Sequence, residues 1–145
     1  MQLLIGAETK TTCRVSSVLN RDRKQYGAQH MFDGSEVTCW NSDQGSPQQV
    51  WLTFHRAVNL RQLQVMFQGG FVGEDVALWV TTAAEPTFHV LPPAEPIHFG
   101  DSNALQFVDV SCDGATQLRL HFGRSTDFYG RVTIYQLHVY GDEWE

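Results

Sequence analysis

Apolar and polar side chains alternate with a period of two along most of this chain. Val50, Leu52 and Phe54 share one face of a run whose other face carries Trp51, Thr53 and His55. Leu63, Val65 and Phe67 do the same against Gln62, Gln64, Met66 and Gln68. Val76, Leu78 and Val80 repeat the pattern, and so do Leu118, Leu120 and Phe122 against Gln117, Arg119 and His121. Strict alternation over four to eight residues predicts strands buried on one face only. Each inward side chain contributes about 1.5–3 kcal/mol when fully buried, so the inward faces carry the stability. The last run breaks phase: Val132 and Ile134 sit on one parity, Leu137 and Val139 on the other. One extra residue near Tyr135-Gln136, a β-bulge, reconciles them.

Turn chemistry falls between the runs, at Asp33-Gly34, Gly69-Gly70, Pro92-Pro93, Asp113-Gly114 and Tyr129-Gly130. The segment Ala83–Pro96 holds four of the five prolines and suits a surface loop or an edge strand. A single helical turn is expected, at Ala28–Phe32. Many short strands and so little helix predict a sandwich or barrel. The 145 residues suffice for one domain, 1–145, with 142–145 as a short tail. A chain of this length buries roughly 68–70% of the surface its unfolded form exposes, which sustains a two-layer core without a metal or disulfide.

Charge and cysteine usage narrow the function. A net charge of −6 argues against direct nucleic-acid binding, which needs a basic face. The local exception is Arg14–Lys24, where Arg14, Arg21, Arg23 and Lys24 outnumber Asp22; it reads first as a solvated loop and second as a docking patch. No stretch approaches the roughly 20 apolar residues of a membrane span, and apolar Met1–Ile5 is too short for a secretion signal. Cys13, Cys39 and Cys112 are odd in number and widely spaced, as expected of reduced thiols filling a core. A monomer in the nucleus or cytoplasm is the expectation.

Catalysis finds no support. The six histidines, His30, His55, His89, His98, His121 and His138, are scattered singly. There is no His-Glu-x-x-His, no Gly-x-Ser-x-Gly elbow and no glycine-rich phosphate loop. Asp33, Asp43, Asp109 and Asp127 have no sequence relation that makes any two of them a catalytic pair.

Two patches carry a resemblance. The run from Met31 to Ser42, with Asp33-Gly34 and Thr38-Cys39-Trp40-Asn41-Ser42, followed by Val50–Phe54, resembles the signature of discoidin-type domains. Gly130–Gly141 resembles the closing strand of the same superfamily. The resemblance implies an all-β, jelly-roll β-sandwich of galactose-binding-domain-like (discoidin) type. Arg14–Arg21, Cys39–Gly45, Phe67–Phe71 and Thr126–Val132 together resemble its nuclear-receptor-associated branch, in which the testicular orphan receptor is repressed. That implies a non-enzymatic protein-interaction module whose protein partner is a nuclear receptor and which regulates transcription. The alternatives are a carbohydrate-binding, lectin-like module and an accessory subunit of a larger intracellular complex.

The resemblance also implies two sites. Many discoidin-type domains hold a structural calcium on the Asp-Gly loop, and calcium takes six to eight oxygens. By motif position Asp33 supplies a carboxylate, Thr38 a hydroxyl and carbonyl, and His30 and Ser35 backbone carbonyls. The closing Glu of the family is Gln136 here, which removes one charge and weakens the site. Asp33-Gly34 is otherwise a tight turn with Asp33 capping backbone amides. The second implied site is the rim built from Asn41–Ser46, Gln68–Gly73 and Arg124–Arg131. It would present Asn41, Asp43, Gln44, Gln68, Phe71, Arg124, Asp127, Phe128, Tyr129 and Arg131, the aromatic and Arg mixture that interfaces favour and sugar sites also use. Trp40 is expected in the core, and Arg131 as a partner of Asp43 or Asp127.

Overall fold

The computed structural model describes residues 1–6 and 9–144. Eight strands follow in chain order: β1 (Gln2–Leu3), β2 (Thr12–Val15), β3 (Trp40–Asn41), β4 (Gln48–Phe67), β5 (Gly73–Thr82), β6 (His89–Val90), β7 (Leu105–Ser125) and β8 (Thr133–Glu143). All their pairings are antiparallel, along the path β1-β8-β4-β7-β5-β6, with β2 on β4 and β3 on β8.

The runs at 50–54 and 63–67 are one strand rather than two. β4 bends where residues 54–57 stand against Thr116 alone, the register passing from Thr53↔Gln117 to Val58↔Ala115. His55 takes a φ of 56° at this bend. Asp113-Gly114 likewise lies inside β7, contrary to the expected chain reversal, and Gly114 supplies a φ of 75°. The N-terminal half of β4 and the C-terminal half of β7 form one leaf with β2 and β5. Their other halves form a second leaf with β8. Phe67, near the second leaf's end, packs edge-on against Phe122 at 5.9 Å, although Phe122 pairs with Gln48 at the far end of β4. The leaves therefore fold back face to face, and the discoidin-type sandwich is the architecture.

The predicted inward residues fill the space between the leaves. Val50, Leu52, Phe54, Leu118, Leu120 and Phe122 meet Leu63, Val65, Phe67, Leu137 and Val139, each at most 1% exposed. Trp40 is fully buried, as expected, and its Nε1–H donates to the Ser17 carbonyl at 2.9 Å. The phase break in β8 is a bulge at Tyr135, since Met66 pairs with Gln136 and Phe67 with Ile134. Cys13 and Cys112 pack against the core, half-buried Cys39 is not part of it, and all three thiols are free.

Three expectations need correction. Asp142 and Glu143 are not tail but continue β8 opposite Asn59 and Val58; Glu145 lies outside the described residues. The helical turn expected at Ala28–Phe32 is a 3-10 turn over Ala28–Met31, but it is one of three helical turns among the described residues. The other two, Leu19–Arg21 and Arg23–Tyr26, lie in what reads as a loop. Asp22 nucleates the second by accepting a hydrogen bond from the Gln25 amide at 3.1 Å. Arg14–Val15 at the start of that loop belong to β2.

The outer face of the first leaf carries a row that only the register creates. Arg14, Trp51, Arg119 and Trp79 stand side by side on β2, β4, β7 and β5. The Arg14 guanidinium lies 4.8 Å from the Trp51 ring centre, and that of Arg119 lies 5.1 Å from Trp79 and 4.9 Å from Phe88. Cation–π attraction stiffens the face.

Candidate functional site

The loops between β3 and β4, β4 and β5, and β7 and β8 converge at one end of the sandwich, as the resemblance implied. Ser42 N–H donates to Val132 O at 2.9 Å, and Val132 N–H returns a bond to Ser42 Oγ at 2.8 Å. Gly45 N–H reaches Tyr129 O at 2.7 Å. Thr126 N–H donates to Val72 O at 2.9 Å, and Thr133 N–H to Phe71 O at 3.1 Å. Gly130 permits the closest approach: at φ 83°, a Cβ there would stand 2.8 Å from the Gly45 carbonyl carbon.

Five predicted rim side chains form one cluster. Arg131 stacks 5.2 Å from the Phe71 ring centre and 5.6 Å from that of Tyr129. Asp127 holds it from below, with Nε donating to Oδ2 at 2.9 Å and Nη2 to Oδ1 at 3.2 Å. The Arg131 hydrogen bond keeps the Asp127 carboxyl below the usual carboxylate range, against the opposing pull of desolvation. The same contact raises the Arg131 guanidinium. Of the two partners expected for Arg131, Asp127 is the one used. Phe128 packs edge-on against Tyr129 at 5.2 Å yet is 93% exposed, and Tyr129 is 58% exposed. A rigid cation beside two uncovered rings can stack on a flat or apolar group and hydrogen-bond its rim.

The remaining rim residues divide. Asn41 Oδ1 accepts from Thr133 Oγ1 at 2.9 Å, Gln68 pairs its backbone with Thr133 and Phe71, and Gln44 is exposed. Arg124 and Asp43 do not join the cluster. Arg124, next to the last residue of β7, pairs with Asp75 of β5 at 2.6 Å, beside a separate pocket of ≈ 370 Å³ that includes Pro96 and Phe99. Asp43 lines a cleft next to β2.

On the Asp-Gly loop, Asp33, Ser35, Thr38 and His30 come together around one carboxylate. Ser35 N–H donates to Asp33 Oδ1 at 2.9 Å, Thr38 Oγ1 to Oδ2 at 2.5 Å, and His30 Nδ1 stands 3.4 Å from Oδ2. Desolvation pulls the Asp33 carboxyl up, but the bonds from Thr38, Ser35 and His30 together hold it lower than usual. Gln136 turns its Oε1 to His138 Nε2 at 2.9 Å. The oxygens suit calcium in kind. They suit it poorly in number, with one formal charge and both carboxylate oxygens already accepting hydrogen bonds. Among the described residues, no three of His, Cys, Asp and Glu gather where they could hold a metal ion.

No protein-family model matches the chain. Whole-chain relatives do. The nuclear receptor 2C2-associated protein of Mus musculus is 44% identical over 133 residues, covering 92% of each chain. That of Xenopus laevis is 45% identical over 131 residues, covering 90% of this chain and 93% of its own, and that of Homo sapiens 41% over 134 residues, covering 92% and 94%. The chain belongs to the nuclear receptor 2C2-associated protein family.

Solved structures place this family member among carbohydrate-binding and discoidin folds. A chitosan-binding module from a Paenibacillus chitosanase/glucanase superposes with a TM-score of 0.74 at 18% identity, covering 97% of this chain and all of its own. An F5/8 type C domain from Bacteroides fragilis gives 0.76 at 15% identity, covering 92% and 93%. A family 32 module from Clostridium perfringens, in complex with galactose, gives 0.71 at 15%, covering 89% and 92%. At these identities the likeness concerns the fold.

One residue that shapes the rim of this family member escaped the sequence reading. Gln48, 4% exposed, holds the β3–β4 loop from beneath. Its Oε1 accepts from the Ser16 and Ser17 hydroxyls, and its Nε2 donates to Asp43 O at 3.2 Å and Gly45 O at 2.8 Å. The available signal was parity: Gln48 is in phase with inward Val50 and Leu52.

Proposed function

We propose that this member of the nuclear receptor 2C2-associated protein family is a non-enzymatic interaction module that binds a nuclear-receptor-type transcription factor and lowers its activity. The uncovered Phe128 and Tyr129 beside a pinned Arg131 carry this reading. Exposed aromatics next to an ordered Arg are the composition of interface hot spots, and pinning lowers the ordering cost on binding. The family name supplies the partner class, and a role in the nucleus or cytoplasm goes with it. No helix of the described residues is long and apolar enough to cross a membrane.

The test is calorimetry of the intact chain with a purified receptor 2C2 ligand-binding domain, alongside Phe71→Ala/Phe128→Ala and a receptor-driven reporter in cells. Saturable binding that the double variant weakens at least about ten-fold, with matching loss of repression, supports the reading. No binding by the wild type overturns it. Carbohydrate binding is the second reading, favoured by the neighbours described in complex with sugars, and it predicts a saturable response to galactose or chitotriose at the same rim. Structural calcium on the Asp33 loop remains a separate, weak-binding proposal.

A further inference from the structure

A cleft of ≈ 720 Å³ opens along the flank of β2, lined by none of the residues of the Phe71–Arg131 cluster. Arg14, Arg21 and Arg23 line it, with Asp43 as the one carboxylate in its wall. The other acidic residue close by, Asp22, is turned to the Gln25 amide. Its floor is apolar, from Val15, Val18 and Ala28, all packed against the core.

Cations outnumber carboxylates here. Arg56, Arg61, Arg124 and Arg131 each hold a carboxylate within 4 Å. Among the described residues, Arg14, Arg21 and Arg23 hold none, and Lys24 follows directly. A concentration of unpaired cations on a chain of net charge −6 sets a local field opposite in sign to the rest of the molecule. The backbone contributes as well. Asn20 and Arg21 take successive φ values of 55° and 56°, a region non-glycine residues seldom occupy. They are held there by Arg21 N–H to Val18 O at 2.9 Å and Asp22 N–H to Leu19 O at 3.0 Å. This places Arg21 over the cleft at a conformational cost that simple surface solvation does not require.

We infer that this cleft receives a short acidic segment of a protein partner, its carboxylates on Arg14, Arg21 and Arg23 and one apolar side chain on the Val15–Val18–Ala28 floor. Guanidinium groups match carboxylates in bidentate geometry, and an apolar floor between them selects a peptide over a bare anion. The inference rests on the protein-binding reading and adds a second surface to the rim, with a partner chemistry of its own.

The test is fluorescence anisotropy with a labelled peptide of alternating glutamate and leucine. A glutamine-for-glutamate peptide and a single-stranded oligonucleotide of equal charge serve as comparisons. The acidic peptide is expected to bind, the neutral one not, and affinity to fall with salt. Arg21→Glu/Arg23→Glu is expected to weaken binding about ten-fold or more, whereas Phe128→Ala leaves it unchanged. Arg14→Gln provides a milder variant should the charge reversal unfold the chain. Equal affinity for the neutral peptide, tighter binding of the oligonucleotide, or no loss in any arginine variant overturns the inference. If the receptor domain binds and no acidic peptide does, the cleft fails while the module reading stands. If the peptide binds at the arginines and the receptor domain does not bind, the cleft stands and the receptor reading fails.

Discussion

Replacing Gln48 with Leu keeps the volume and removes a buried amide whose donors and acceptors are all in use. The substitution loses the bonds from the Ser16 and Ser17 hydroxyls and those to the Asp43 and Gly45 carbonyls. At a net ~1 kcal/mol each, the set amounts to about 4 kcal/mol. Ser16 and Gly45 are exposed, so water restores part of it, leaving a loss of about 2–3 kcal/mol. For a chain of this size that corresponds to a melting temperature lower by about 5–10 °C. Gln48→Glu is the sharper variant: it still accepts from the two serines but turns lone pairs, instead of N–H groups, toward two carbonyls. It is expected to be at least as damaging as Leu at neutral pH. Thermal denaturation followed by circular dichroism, with amide NMR of residues 42–47, reads both effects. A drop below about 2 °C for Gln48→Leu, or a Glu variant more stable than Leu, would refute the claim that this amide holds the rim loop.

Three further outcomes are expected. The Asp127 carboxyl lies lower in the folded chain than in the unfolded one, so its contribution is present above the unfolded value of about 4 and is lost as pH falls through the folded value. The β7–β8 loop amides should therefore shift in an NMR titration below about pH 4, and Asp127→Asn should abolish that transition. Arg119→Ala removes the stacking on Trp79 and Phe88 and should lower stability by about 1–2 kcal/mol in urea. Arg119→Met should cost less, because it keeps the packing and deletes a buried Nε–H that has no partner. Calcium should raise the melting temperature only at about 0.1–1 mM or above, with Gln136→Glu tightening and Asp33→Asn removing the response; no shift at any concentration removes the calcium proposal.

What was legible in the sequence was whatever a single strand carries within itself. Parity along 50–54, 63–67, 76–80 and 118–122 separates inward from outward side chains because a strand's side chains alternate, and the Tyr135 bulge follows from the same rule. The motif residues at Cys39–Gly45, Phe67–Phe71 and Thr126–Val132 likewise marked the three loops that meet at one end. Partnership across strands had no such local record. That β4 and β7 run unbroken through both leaves depends on bends at His55, which reads as an ordinary outward strand position, and at Gly114, which looks like a turn when read alone. Arg124 settled on Asp75 of β5, 49 residues away and outside the cluster, because strand pairing brought that carboxylate within reach, whereas Arg131 took the local option, Asp127 in its own loop. The Arg14–Trp51–Arg119–Trp79 row and the arginine cleft beside β2 exist only once distant strands and helical turns are side by side. Short-range order is written in neighbouring residues, whereas a site assembled from segments up to 92 residues apart is decided by how the leaves close.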